Sequence, residues 1–197
     1  VKKATLEISI EGLRMACCER AVVKALKSIQ GVEDVKIVKN GGSKVAKITL
    51  KEGGSLFLST IREELDKVSR GKGCCCKDAE FKPKEDMIPA DVIRRLMVKG
   101  SEKQEDQQKL LHSIKAVKGI KDIEIKVKSK DRIDVTFQWE DEQVGAEVLP
   151  TLKVLKKAIQ KGGYTLSDVE LMAIGEEKKE AEQKETPRKG CGCCGDH

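Results

Sequence analysis

The chemistry this chain can offer is that of sulfur. Its eight cysteines fall into three knots: Cys17 with Cys18, Cys74 with Cys75 and Cys76, and Cys191 with Cys193 and Cys194. Neighbouring residues have Cα atoms ~3.8 Å apart, whereas an ordinary disulfide spans ~4.4–6.8 Å, so pairing inside a knot is strained. A disulfide framework would also scatter its cysteines to staple distant segments. Clustering points instead to thiolates gathered around a soft cation. Cu(I), which accepts two or three sulfurs, is the best candidate, and Zn(II), Cd(II), Hg(II) and As(III) accept the same donors. In the last knot, glycines let a short segment wrap an ion, and Asp196, His197 and the terminal carboxylate add harder donors. The candidate ligands are therefore Cys17, Cys18, Cys74, Cys75, Cys76, Cys191, Cys193, Cys194 and His197.

Something must position these knots. Ala4 to Ile10 alternates with the period of a half-buried strand, and Cys17 to Ile29 carries Ala21, Val22, Ala25, Leu26 and Ile29 at helical spacing. Gly31 ends that helix, Val32 to Val38 alternates again, and Asn40, Gly41 and Gly42 turn into a third strand over Lys44 to Leu50. Leu58, Ile61, Leu65 and Val68 mark a second helix, and Ala79 to Lys82 supplies a fourth strand. The order is βαββαβ. A second copy follows, because Ile29, Gly31, Val32, Asp34, Val35 and Ile37 recur as Val117, Gly119, Ile120, Asp122, Ile123 and Ile125. Its strands are expected over Val92 to Val98, Ile120 to Val127, Arg132 to Trp139 and after Tyr164, with helices over Glu105 to Val117 and Val144 to Ile159.

With right-handed crossovers the first two strands of such a unit run parallel. The loop leaving the first strand then opens at the same end as the connection from the second helix to the fourth strand. That places Cys17 and Cys18 opposite Cys74, Cys75 and Cys76. The first pair stands at the first turn of a helix, where unpaired N–H groups and the positive dipole end favour thiolate over thiol, and Arg20 adds a positive charge. The chain divides into a first module over 1–82, a linker over 83–90 that holds Pro83 and Pro89, a cysteine-free second module over 91–173, and a tail over 174–197 too polar to bury. The tail is expected to be disordered, to capture metal at its cysteines and to exchange it with the Cys17 and Cys74 end.

Met15-Ala16-Cys17, preceded by Gly12 and followed by a helix and then Gly31-Val32-Glu33-Asp34-Val35, resembles the heavy-metal-associated domain family. That family includes copper chaperones, periplasmic mercury-binding proteins and the amino-terminal modules of metal-pumping ATPases, and its motif is M-x-C-x-x-C. Met15 and Cys17 match the motif's methionine and first cysteine; Arg20 stands where its second cysteine would be, with Cys18 an adjacent substitute. The resemblance implies an α+β fold of two tandem ferredoxin-like modules, each a four-stranded antiparallel sheet with two helices on one face. It further implies a metallochaperone or metal scavenger, with a metal-transporting ATPase or another metal-accepting protein as partner. Gly163-Tyr164 resembles the Gly-Tyr that often follows the last helix of the family. Met15 is expected as a core anchor beneath the loop, His112 as an ordinary helix residue, and the second module as a structural or docking copy.

Composition narrows the alternatives. Charged residues make up 37% and aromatics 3%, so cores must be built from Val, Ile and Leu, and the net charge of +6 spreads over a Lys-rich solvated surface. No run approaches the ~18 apolar residues needed to cross a bilayer, so the chain reads as soluble. It opens at Val1, so a cleaved signal peptide would make it periplasmic or extracytoplasmic, and methionine excision would leave it cytoplasmic. A non-enzyme is expected, because no Ser, His and acid set or phosphate-cradling loop is present. A thiol-disulfide redox protein is the main rival, though its first two knots lack C-x-x-C, a spacing found in the tail at Cys191 and Cys194. A nucleic-acid-binding βαββαβ protein is another, with Phe137 and Trp139 on one strand face; no run has the basic-glycine-aromatic pattern it needs, and no nucleic-acid partner is expected.

Overall fold

The structure, a computed structural model, describes residues 4–71, 79–129, 131–139 and 149–174. The first unit comprises β1 (Thr5–Glu11), α1 (Ala16–Lys27), β2 (Val32–Asn40), β3 (Ser43–Leu50), β4 (Ser55–Phe57), α2 (Leu58–Arg70) and β5 (Lys82–Pro83). Alternation in β1 turns Leu6, Ile8 and Ile10 to the core, where they meet Ala46, Ile48 and Leu50 of β3. Helical spacing does the same in α1, whose buried stripe is Cys18, Val22 and Leu26, and in α2, with Leu58, Ile61 and Leu65. The sheet order is β2-β3-β1-β5. Since β3 is antiparallel to both β1 and β2, those two run parallel with β3 between them, as right-handed crossovers require. Gly41 and Gly42, at φ 53° and 84°, supply the two left-handed residues of a tight hairpin turn between β2 and β3.

The second unit repeats the pattern with β6 (Ile93–Lys99), α3 (Gln104–Lys115), β7 (Ile120–Ser129), β8 (Arg132–Trp139), α4 (Leu152–Lys161) and β9 (Thr165–Met172). Its sheet runs β4-β9-β6-β8-β7. Four of these strands are the expected ones, and the fifth, β4, is lent by the first unit. Ser55, Leu56 and Phe57 pair antiparallel with Met172, Leu171 and Glu170. A three-residue strand shows no alternation worth reading, and its partners lie more than a hundred residues away, so the sequence could not announce it. The two units are thereby interlocked. Thr5 and Ile174 exchange backbone hydrogen bonds at 3.2 Å, and a single apolar core runs from Leu6 to Leu171.

Several boundaries moved for identifiable reasons. The fourth strand of the first unit is Lys82–Pro83 rather than Ala79 to Lys82. The final helix begins at Leu152: Pro150 disfavours helix for the residue before it, Thr151 takes an extended N-cap conformation, and 144–148 lie outside the described residues. The segment expected as a linker packs tightly. Ile88 and Ala90 are buried, the Ala90 N–H donates to the Pro150 carbonyl at 2.9 Å, and the Leu152 N–H donates to that of Ile88 at 2.7 Å. Among the described residues, no helix is long and apolar enough to cross a membrane.

Candidate metal centre

The loop between β1 and α1, Gly12 to Met15, carries the first sulfur knot at its exit. Met15 is the N-cap of α1; its carbonyl accepts the Cys18 N–H at 3.1 Å and the Glu19 N–H at 3.2 Å, which fixes the backbone on which both cysteines stand. From the other side Lys44, at the start of β3, donates to the Arg14 carbonyl at 3.3 Å and pairs with Glu19 at 2.5 Å. Lys44 was not anticipated as a contributor. Only the antiparallel register of β3 against β1 brings it to this end.

Adjacent helical residues diverge by about 100°. Accordingly Cys18 joins the core stripe at 2% exposure, while Cys17 is half-buried on the neighbouring face with Arg20 one turn on, exposed. The two sulfurs are thus unequal: one is already packed into the apolar core. Met15 departs from expectation. It is 54% exposed, and Leu13, at 8%, is the residue that anchors the loop in the core. Two buried side chains that close together would over-fill the space beneath a short loop, and Leu13 occupies it.

Cys74, Cys75, Cys76, Cys191, Cys193, Cys194 and His197 lie outside the described residues. The residues flanking 72–78 are described, and they lie against the β1–α1 loop. Gly12 adopts φ 89°, and a Cβ there would collide with the Glu80 carbonyl and touch the Phe81 ring. Ile10 and Glu11 pair with Pro83 and Lys82. On the exit side of α2, the Ser69 hydroxyl donates to the Leu65 carbonyl and accepts the Phe81 N–H, each at 3.1 Å, with Phe81 1% exposed. The chain therefore leaves at Gly71 and returns at Ala79 beside the loop of Cys17 and Cys18.

Both Cys17 and Cys18 are disulfide-bonded in the structure. Thiolates were expected. Sulfurs close enough to share a cation are also close enough to oxidise, and the cation-binding form is the reduced one. Among the described residues no cluster of three or more His, Cys, Asp or Glu is placed to hold a metal ion.

The equivalent loop of the second unit, Gly100 to Lys103, is closed differently. Tyr164 is buried, its hydroxyl donates to the Ser101 carbonyl at 2.7 Å, and its ring lies where a Cβ on Gly100 would be. Burial raises the Tyr164 pKa, with Asp106 adding to the effect. His112 is exposed on α3, away from any described cysteine. Phe137 and Trp139, considered above as a stacking platform, pack against the core instead, with Trp139 over Gly119. A cleft of about 730 Å³ beside β5 has Glu11, Asp66, Phe81, Met87 and the Arg62–Glu85 ion pair in its lining, and no cysteine among the described residues.

The sequence matches no protein-family model, and no curated protein matches it. Among solved structures, the chain is similar to the water-soluble region of the P-type ATPase CopA from Bacillus subtilis, at 13% identity and a TM-score of 0.31 over 95% of this chain and 99% of that one. A solution structure of the N-terminal soluble domains of the same ATPase gives 15% identity and a TM-score of 0.28 over 85% and 95%. Scores this low carry no argument about function, which rests on the residues themselves.

Proposed function

We propose that this protein binds a soft, thiol-preferring metal cation, with Cu(I) favoured, at the Cys17 and Cys18 end of its first unit, and passes it on without chemical transformation. The observation that carries this reading is the abutment of Gly12 and Glu80. It joins the loop that bears one sulfur knot to the flank of the segment that bears Cys74, Cys75 and Cys76. Soft thiolates select Cu(I), Hg(II) and related ions over harder cations. A metal-transporting ATPase or another metal-accepting protein is the class of partner that such a carrier would serve. The second unit, whose loop has a buried tyrosine in place of sulfur, would serve as scaffold or docking surface.

The test is anaerobic titration of the fully reduced protein with Cu(I) against a competing chelator, repeated with Zn(II) and Hg(II). Stoichiometric binding that is lost in Cys17→Ser with Cys18→Ser supports the reading. Equal retention of Cu(I) by that double variant would sink it.

A second reading is favoured by one observation, the disulfide-bonded state of Cys17 and Cys18. In a thiol-disulfide carrier, each disulfide would take two electrons and two protons from a dithiol partner. Insulin reduction by the metal-free, pre-reduced protein separates the two, because turnover without metal belongs to the redox reading alone.

A further inference from the structure

Resting on the metal-binding reading, we infer that Met15 donates its thioether sulfur to the bound cation, and that this third sulfur makes the site discriminate in favour of Cu(I) and Ag(I) over Zn(II). The inference starts from a placement the sequence did not suggest. Leu13 fills the space beneath the loop at 8% exposure, and Met15, two residues on, projects outward at 54%. Its backbone is nonetheless fixed, since its carbonyl accepts the Cys18 and Glu19 N–H groups. A flexible, unbranched side chain with a polarisable sulfur is thus held at a defined point and left without core packing.

Its neighbours give that sulfur a use. Met15 stands one helical turn before Cys18 and two residues before Cys17, and the three sulfurs form a gradient from solvent to core. Met15 is exposed, Cys17 half-buried and Cys18 2% exposed. With Cys18 turned to the core and Cys17 half-buried, the pair leaves its solvent side open, and Met15 is the sulfur on that side. Arg20, which shares the Cys17 face one turn on, has no lone pair to offer.

The chemistry sets the selectivity. A thioether is neutral and soft; it adds to Cu(I) or Ag(I) and contributes little to Zn(II), which draws its binding from charged thiolates, imidazole and carboxylate. A thioether also carries no proton in the accessible pH range.

The experiment uses the full-length, reduced protein carrying 13C-methyl methionine, titrated with Ag(I) and, separately, with Zn(II). The Met15 methyl resonance, assigned by its disappearance in Met15→Leu, should move with Ag(I) and stay in place with Zn(II). Met15→Leu, close in volume to the original, should lower Ag(I) affinity at least tenfold and leave Zn(II) affinity unchanged. A stationary Met15 methyl during stoichiometric Ag(I) binding would overturn the inference while leaving the metal-binding reading intact. Failure of the wild-type protein to bind Ag(I) at all would overturn both.

Discussion

The Asp168 carboxylate of β9 accepts hydrogen bonds from both the backbone N–H and the hydroxyl of Ser59, at 3.0 and 2.6 Å, and so caps the first turn of α2 from the other unit. The N-cap residue of α2 is Phe57, which makes no side-chain cap of its own. An anion at a helix N-terminus satisfies donors that would otherwise lack partners and opposes the positive end of the dipole. Here that group comes from a residue 109 positions away. With Ser55 donating to Glu170 at 2.8 Å on the adjacent strand, it makes the β4–α2 corner a polar clasp between the units.

Removing the cap should therefore weaken both units together. Asp168→Ala is expected to cost about 1 kcal/mol, within the ~0.5–2 range of lost N-caps. Chemical denaturation followed by the single tryptophan, Trp139 in the second unit, and by far-ultraviolet dichroism should give one shared midpoint, shifted down in the variant. Two separated transitions would mean that the units unfold independently.

Gly12→Ala should be costly out of proportion to its size. It places a Cβ against the Glu80 carbonyl and forces a left-handed conformation on alanine. Left-handed strain of ~1–2 kcal/mol and overpacking of ~1–3 kcal/mol lead us to expect a loss of at least about 2 kcal/mol. Because the contact joins the loop of Cys17 to the flank of 72–78, Cu(I) affinity should fall in the same variant, even at temperatures where it remains folded. Gly42→Ala, at φ 84° and facing open space, controls for backbone strain alone.

Titration at the two extremes of pH should find opposite signs. The Asp34 pKa is held below the ordinary aspartate value chiefly by its hydrogen bond from Lys27, at 2.7 Å, with help from the Val35 backbone. Its stabilising contribution is complete above the usual aspartate pKa near ~4 and is lost as pH falls through the lowered value. Tyr164 is the reverse case. Burial raises its pKa, so its contribution is complete below the usual tyrosine value near ~10 and is lost as pH rises through the raised one. Tyr164→Phe should cost ~0.5–1.5 kcal/mol at neutral pH for the lost bond to Ser101. The gap between variant and wild type should close in strongly alkaline solution.

Deleting Gly190 to His197 should lower metal stoichiometry or slow loading of the Cys17 site, as expected if the terminal cysteines capture ions and exchange them. Stopped-flow transfer from a Cu(I)–chelator complex measures both. Unchanged rate and stoichiometry would retire the capture role.

Much of the architecture was legible along the chain because periodicity is a local property. Residues Ile8 and Ile10, or Val22 and Leu26, declare their element and buried face within one or two turns. The repeat from Gly31 to Gly119 declares that the element order occurs twice. The burial of Cys18 was legible too, since it extends the stripe of Val22 and Leu26 back by one turn; a reading that treated the two cysteines as equals missed that signal. The position of Met15 was not legible. Both Leu13 and Met15 are apolar, and which of them occupies the space under the loop depends on the shape of the core it meets.

The sequence by itself determined that two βαββαβ units exist, that clustered cysteines are the distinctive chemistry of this chain, and that the first and second strands of a unit run parallel. These follow from local patterning and from the handedness of L-residues. Only the tertiary structure decided that β4 joins the other unit's sheet, that Asp168 caps α2 across the join, that Lys44 braces the β1–α1 loop, and that Met15 rather than Leu13 faces solvent. Each of these is a contact between segments far apart in the chain. Its outcome is set by close packing, in which one space admits one side chain, and no local pattern records which.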